Sequence, residues 1–219
     1  MATRNASRGV LNVSEIPTLV EEYARRSLHR DSGAVYPPSA ALNRKLSVLR
    51  DDITKISADA IVNAANNRLA GGAGVNGAIQ AAAGPQLLEE SLALNGCDTG
   101  DAKITKGYML PARHVIHVVG PMYYQHDKKE ANRLLESCYL RGLQVAVENG
   151  IKTIAFPSIS TGIFGFPIRE ASPIAINTVR QFLQSAEGNT IERVIFVLFG
   201  REDEQVYRTT IPKYFHQSE

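Results

Sequence analysis

The sequence predicts an α/β fold in which helices cover both faces of a mostly parallel sheet. Two observations carry this. From about Arg44 onward, strand-like and helix-like segments alternate, the order that produces crossover units. In addition, Val194–Phe199 is an unbroken run of six apolar residues, which suits a central strand buried on both faces.

Residues 1–13 show no periodicity and read as a loose terminus. Ile16, Leu19, Val20, Tyr23, Ala24 and Leu28 then recur at helical spacing, with Ser14 as cap and Pro17 in the first turn. Gly33, Pro37 and Pro38 mark 31–43 as a linker. The expected organisation is therefore an N-terminal extension with a docking helix over 1–43 and a compact domain over 44–219. Strands are expected at Lys45–Arg50, Ala60–Ala64, His114–Val119, Thr153–Pro157 and Val194–Phe199. Leu135, Cys138, Tyr139, Gly142 and Ala146 share one helical face, and Ala171, Ile174, Thr178, Val179 and Phe182 share another. Val75–Ala83 reads as a helix of small residues stopped by Gly84-Pro85.

Composition narrows the function classes. The chain has 219 residues, 44% of them hydrophobic, enough for one sizeable core. A net charge of +2 gives no reason to expect a specific nucleic acid or an anionic membrane as partner. No apolar run reaches the ~18 residues of a membrane span. Cys97 and Cys138 form no Cys-x-x-Cys pair and no zinc spacing occurs, so free thiols and no metal are expected. The first residues lack the apolar stretch of a secretory signal, which points to the cytoplasm, the nucleus or both.

Ligands of such sheets bind at the carboxyl ends of the strands, so the loops after strands carry the chemistry. One is Asn63-Ala64-Ala65-Asn66, leading through Gly71, Gly72, Ala73 and Gly74 into a helix. Glycines let backbone N–H groups approach an anion, a helix N-terminus favours one, and asparagines suit sugar hydroxyls. A capped glycine turn is the competing structural reading. Gly72–Gly77 also spells G-x-G-x-x-G, but it does not follow its strand directly and no acidic strand end follows, so a dinucleotide fold is weakly supported. The second loop, Ser158–Pro167, repeats the logic of hydroxyls and glycines between a strand and a helix. Two such cradles facing each other would grip a diphosphate. Phe164, set among glycines, would rest against a ribose rather than fill the core. His114 and His117, in an apolar strand, read as structural.

Six ordered motifs, Asp52–Thr54, Asp59–Asn66, Ala82–Pro85, Cys97–Thr105, Val115–Pro121 and Ile159–Gly165, together resemble MacroD-type macrodomains over about residues 44–215. The resemblance implies a three-layer α/β/α sandwich with a central mixed, mostly parallel sheet. It implies an ADP-ribose site with adenine at Asp52, Ile53 and Phe199. The diphosphate would lie between Gly74 and Val75 on one side and Ser160, Thr161, Gly162, Ile163, Phe164 and Gly165 on the other; Asn63, Gly72 and Ala73 would also bind the ligand, with the Ala73 methyl beside the distal ribose. The distal ribose would meet Asn66. The implied activities are removal of mono-ADP-ribose from acidic side chains of proteins and deacetylation of O-acetyl-ADP-ribose. ADP-ribose is ligand and product, and no cofactor is required.

Three departures from that family fall together. Ala73 stands where a glycine is usual, Asn76 where an aspartate is usual, and Gln80 where a histidine is usual. An amide cannot accept a proton near neutral pH. Asn66 and Asn76 are therefore expected to position ribose and water at a reduced rate. The alternative is a non-catalytic reader of ADP-ribose, and a weaker one is an NAD-dependent oxidoreductase.

Overall fold

The computed structural model describes residues 9–28 and 33–217. Expectations that fall on residues 1–8, on His29 and on the start of the linker lie outside the described residues. In chain order the elements are β1 (Leu11–Asn12), α1 (Leu19–Ala24), α2 (Ala40–Asn43), β2 (Leu46–Arg50), β3 (Ile56–Ser57), β4 (Ala60–Ala65), α3 (Gly74–Ala83), α4 (Pro85–Ala93), β5 (Ala102–Lys106), β6 (His114–Val119), α5 (Lys128–Glu148), β7 (Thr153–Phe156), α6 (Ile168–Gln184), β8 (Arg193–Leu198) and α7 (Arg201–Tyr214).

The central sheet has the order β2-β8-β7-β4-β6-β5. Every neighbouring pair is parallel except β5, which runs antiparallel to β6 at one edge. Side chains alternate across a strand, and the two faces bury two separate cores. Ala60 and Val62 of β4, with Ile154 and Phe156 of β7, pack with Leu135, Tyr139, Val179 and Tyr207 from α5, α6 and α7. Ile61, Ala155 and Ile195 face the other way, onto Ile79, Ala83 and Leu87 of α3 and α4. The result is the expected three-layer α/β/α sandwich.

This distribution positions a crevice. β4 and β7 are adjacent and parallel, but the helix after β4 packs on one face and the helix after β7 on the other. Their loops must diverge as they leave the sheet, and the gap between them is the place where open α/β sheets bind ligands.

Several expectations are corrected. Thr18, not Ser14, caps α1: its hydroxyl accepts from the Glu21 N–H while Glu21 reaches back to the Thr18 N–H. Leu11–Asn12, expected to be loose, pairs in parallel with Ile56–Ser57. The linker holds a helical turn, α2, capped by Ser39. Ala102–Lys106 is a strand that the pattern did not reveal, and Pro85–Ala93 and Arg201–Tyr214 are helices. The last strand stops at Leu198, so Phe199 lies outside it with 88% of its surface exposed. The six-residue apolar run overshoots because its last member faces solvent at the crevice rim.

Segments far apart in sequence close the β2 side. Tyr23 donates to the carbonyl of Phe215, Val35 N–H to Lys213, and the Asn43 amide to His216. At the amino ends of the strands, the Asp59 carboxylate accepts from the N–H groups of Lys152 and Thr153, both at 2.9 Å, and pairs with Arg113. Burial alone would raise its pKa, but these partners hold it below the usual carboxylate value. Among the described residues, no helix is long and apolar enough to cross a membrane.

Candidate functional site

The loop after β4 is knitted by asparagine amides. The Asn66 amide donates to the carbonyls of Ala70 (2.9 Å) and Gly71 (3.3 Å), and its oxygen accepts from the Ala70 N–H at 3.2 Å. Leu69, at φ 53°, turns the loop and inserts into a small cluster with Ala65, Cys97 and Val119. A left-handed non-glycine residue costs about 1 kcal/mol; full burial of the leucine offsets it.

Beneath this loop lies a polar chain inside the domain. Asn63 on β4 stands opposite His117 on β6. One Asn63 N–H points at His117 Nδ1 (3.1 Å) and the other donates to Asn76 Oδ1 (3.0 Å). Nδ1 must then be unprotonated, so the proton sits on Nε2, 2.8 Å from the Thr105 hydroxyl. Burial pushes the histidine down to about 4, which keeps it neutral. Because Asn76 Oδ1 accepts from Asn63, its Nδ2 points the other way and donates to the Ala70 carbonyl at 3.2 Å. Asn76 is only 5% exposed, and both ends of its amide are engaged. Gly77 lets this floor close: a Cβ there would stand 2.4 Å from the Gly72 carbonyl oxygen.

Gly72, Ala73 and Gly74 are exposed at the mouth, and Val75 is half-buried. α3 starts after Ala73 without a side-chain cap, leaving its first N–H groups to the crevice. Gln80, one turn beyond Asn76, buries both amide atoms with no partner among the described residues.

The facing loop is built differently. Ser160 has φ 65°, and its buried hydroxyl has no partner among the described residues. It presses on Gly120 after β6, where a Cβ would lie 2.1 Å from Ser160 Oγ. Thr161 donates to the Ser158 carbonyl, Gly165 N–H to Gly162, and Phe166 N–H to Ser160. Ile163 is exposed and Phe164 half-buried, with the Phe164 carbonyl accepting from Tyr123 N–H. Phe164 is thus not a core residue.

At the far end, Asp52 accepts from both the N–H and hydroxyl of Thr54 through one oxygen, starting a short 3-10 turn. Ile53 is buried beside it, and Phe199 stands exposed at the end of β8. β2 and β8 are neighbours, so Asp52, Ile53 and Phe199 share one end of the carboxyl edge. His117 is fully buried, as its structural reading expected, whereas Gly120 and Thr105 were not singled out in the sequence. The place of His117 and Thr105 beneath the loop could be found only through the strand register. Among the described residues, no cluster of His, Cys, Asp or Glu could hold a metal ion.

Residues 62–175 match the Macro domain family. The chain is 53% identical over 169 residues to a macro domain-containing protein of Chlorobaculum tepidum, covering 77% of this chain and 96% of that one. It is 44% identical over 213 residues to the ADP-ribose glycohydrolase MACROD2 of Xenopus laevis, covering 97% of this chain but only 51% of that protein's length. It superposes with TM-score 0.78 on a Trypanosoma brucei macrodomain solved in complex with ADP-ribose, at 35% identity, covering 93% of this chain and 77% of the other.

Proposed function

We propose, from the premise that this chain belongs to the Macro domain family, that it binds ADP-ribose in the crevice between the β4 and β7 loops and hydrolyses esters at the distal ribose. The substrates would be mono-ADP-ribosylated acidic side chains of proteins and O-acetyl-ADP-ribose. The observation that carries the reading is the divergence of two glycine-bearing loops from adjacent parallel strands, one of them feeding an uncapped helix N-terminus. That geometry offers backbone N–H groups to a diphosphate from two sides.

In this reading, Gly72, Ala73, Gly74 and Val75 face Ser160, Thr161, Gly162, Ile163, Phe164 and Gly165 across the diphosphate. Adenine lies at the other end, on Phe199, beside Ile53 and the Asp52 carboxylate. The exposure of Phe199 fits a ring that is covered by a ligand. Asn66 meets the distal ribose, and Asn63 and Asn76 hold the loop that presents it. Asn76 acts by positioning, since its amide is spent on Asn63 and Ala70 and cannot take a proton.

That last point also favours a second reading, a module that binds ADP-ribose without turnover. Two measurements separate the two. Calorimetric titration with ADP-ribose tests both, and no heat at high protein concentration would remove both. Release of label from a mono-ADP-ribosylated glutamate peptide then divides hydrolase from reader. Asn76→Asp sharpens the result. An aspartate keeps one oxygen as the acceptor for Asn63, while its second oxygen, with no proton to give the Ala70 carbonyl, is left free to accept one. A rate gain on the order of tenfold or more is expected from a general base there. An unchanged rate would remove the carboxylate from the mechanism.

A further inference from the structure

The β7 loop is held from beneath by a residue of α5 that no motif of the sequence singles out. Tyr139 is 0% exposed, enclosed by Phe156, Phe196 and Tyr207. Its Oη accepts the Ile159 N–H at 3.2 Å. The same oxygen lies 3.5 Å from the Pro157 carbonyl and 3.5 Å from the Tyr207 hydroxyl, so its own proton has two acceptors within long reach. Burial raises the phenol well above its ordinary pKa, so it stays a neutral donor and acceptor.

The position of this contact matters. Ile159 directly precedes Ser160, the residue at φ 65° that opens the turn of the β7 loop. A left-handed serine persists only where its surroundings over-determine it. Here Gly120 presses from one side, and the Ile159 N–H is tied down from the other.

We infer that Tyr139 is a positioning residue for the β7 loop: its hydroxyl fixes Ile159, sets the turn at Ser160, and thereby controls the grip on a diphosphate while leaving the adenine end untouched. The inference rests on the ADP-ribose reading above. It is separable from that reading, because the brace can be observed without ligand.

The test is Tyr139→Phe, which keeps the ring among its aromatic neighbours and removes only the hydroxyl. Affinities for ADP-ribose and for adenosine are measured side by side in parent and variant. The expected result is about a tenfold loss for ADP-ribose, or about 1.4 kcal/mol, with adenosine affinity within twofold. Equal affinity for ADP-ribose, or an equal loss for both ligands, overturns the inference, since a merely structural role would not discriminate between them. Amide hydrogen exchange on the parent chain gives a second reading that needs no variant to fold. Ile159 N–H should exchange far more slowly than Gly162 N–H, and equal exchange overturns the brace. If the parent binds no ADP-ribose, the functional reading fails with the ligand half of this inference, and exchange still judges the brace.

Discussion

The two loops that line the crevice do one job by different means. The β4 loop is stitched by its own side chains: Asn66 bonds the backbone of Ala70 and Gly71, and Asn76 returns from the helix to the same Ala70 carbonyl. The β7 loop has few such stitches. It is wedged between Gly120 and Tyr139, with a serine in the left-handed region. The first loop carries its shape in local polar bonds. The second receives its shape from neighbouring elements. Substitutions in the first should therefore act locally on stability, whereas substitutions outside the second should reach the ligand.

Gly120→Ala is expected to have the largest effect. Its methyl would stand 2.1 Å from Ser160 Oγ and 2.8 Å from Ile159 Cγ2, and such overpacking costs about 3 kcal/mol. The wedge should fail, with a fall in melting temperature and loss of ADP-ribose binding in a titration. An additional Ser160→Gly change should restore part of both, because it removes the nearer clash. No restoration would show that Ile159 alone sets the fit.

Asn76→Ala should come next, at about 2 kcal/mol. It leaves the Ala70 carbonyl with one donor fewer and a buried Asn63 N–H without its acceptor. Denaturant unfolding reads the loss, and exchange of amides 66–73 should accelerate while those of 158–166 do not. Acceleration in both loops would break the contrast.

The smallest effect comes from a one-unit fall in pH near neutrality. His117 binds a proton more weakly folded, at about 4, than unfolded, near 6.5. Stability from this group is fully present above 6.5 and is lost as pH falls toward 4. Between pH 7 and pH 6 the expected loss is about 0.7 kcal/mol. His117→Gln should flatten that slope, and an unchanged slope would place the titration elsewhere.

The features legible in the sequence were those that repeat or stand together. The buried strands showed because both their faces are apolar, and the asparagines and glycines showed because they cluster after one of them. β5 did not show, since Lys103, Thr105 and Lys106 make three of its five residues polar and break both an apolar run and a clean alternation. α7 hid behind the charged Arg201-Glu202-Asp203-Glu204 that opens it. The partners of the site were harder still. His117 meets Asn63 only because β6 pairs with β4 in that register, and Tyr139 reaches Ile159 across 20 residues of chain. Such contacts belong to the packing of elements. Asn76 shows the same limit: its residue type suggested a water or ribose contact, and its surroundings turn both ends of its amide inward.

The bond from Tyr23 to the Phe215 carbonyl spans 192 residues. It joins the first helix to the last, and Leu19 and Tyr23 lie in the same core as Tyr207 and Ile211. During synthesis α1 can meet α2 and β2 soon after it emerges, but its bond to the last segment waits until Phe215 has cleared the ribosome. Late, long-range closure of this kind slows folding and leaves apolar surface open in the meantime. A nascent chain halted before Phe215 would have both crevice loops complete in sequence but its β2 edge unsealed.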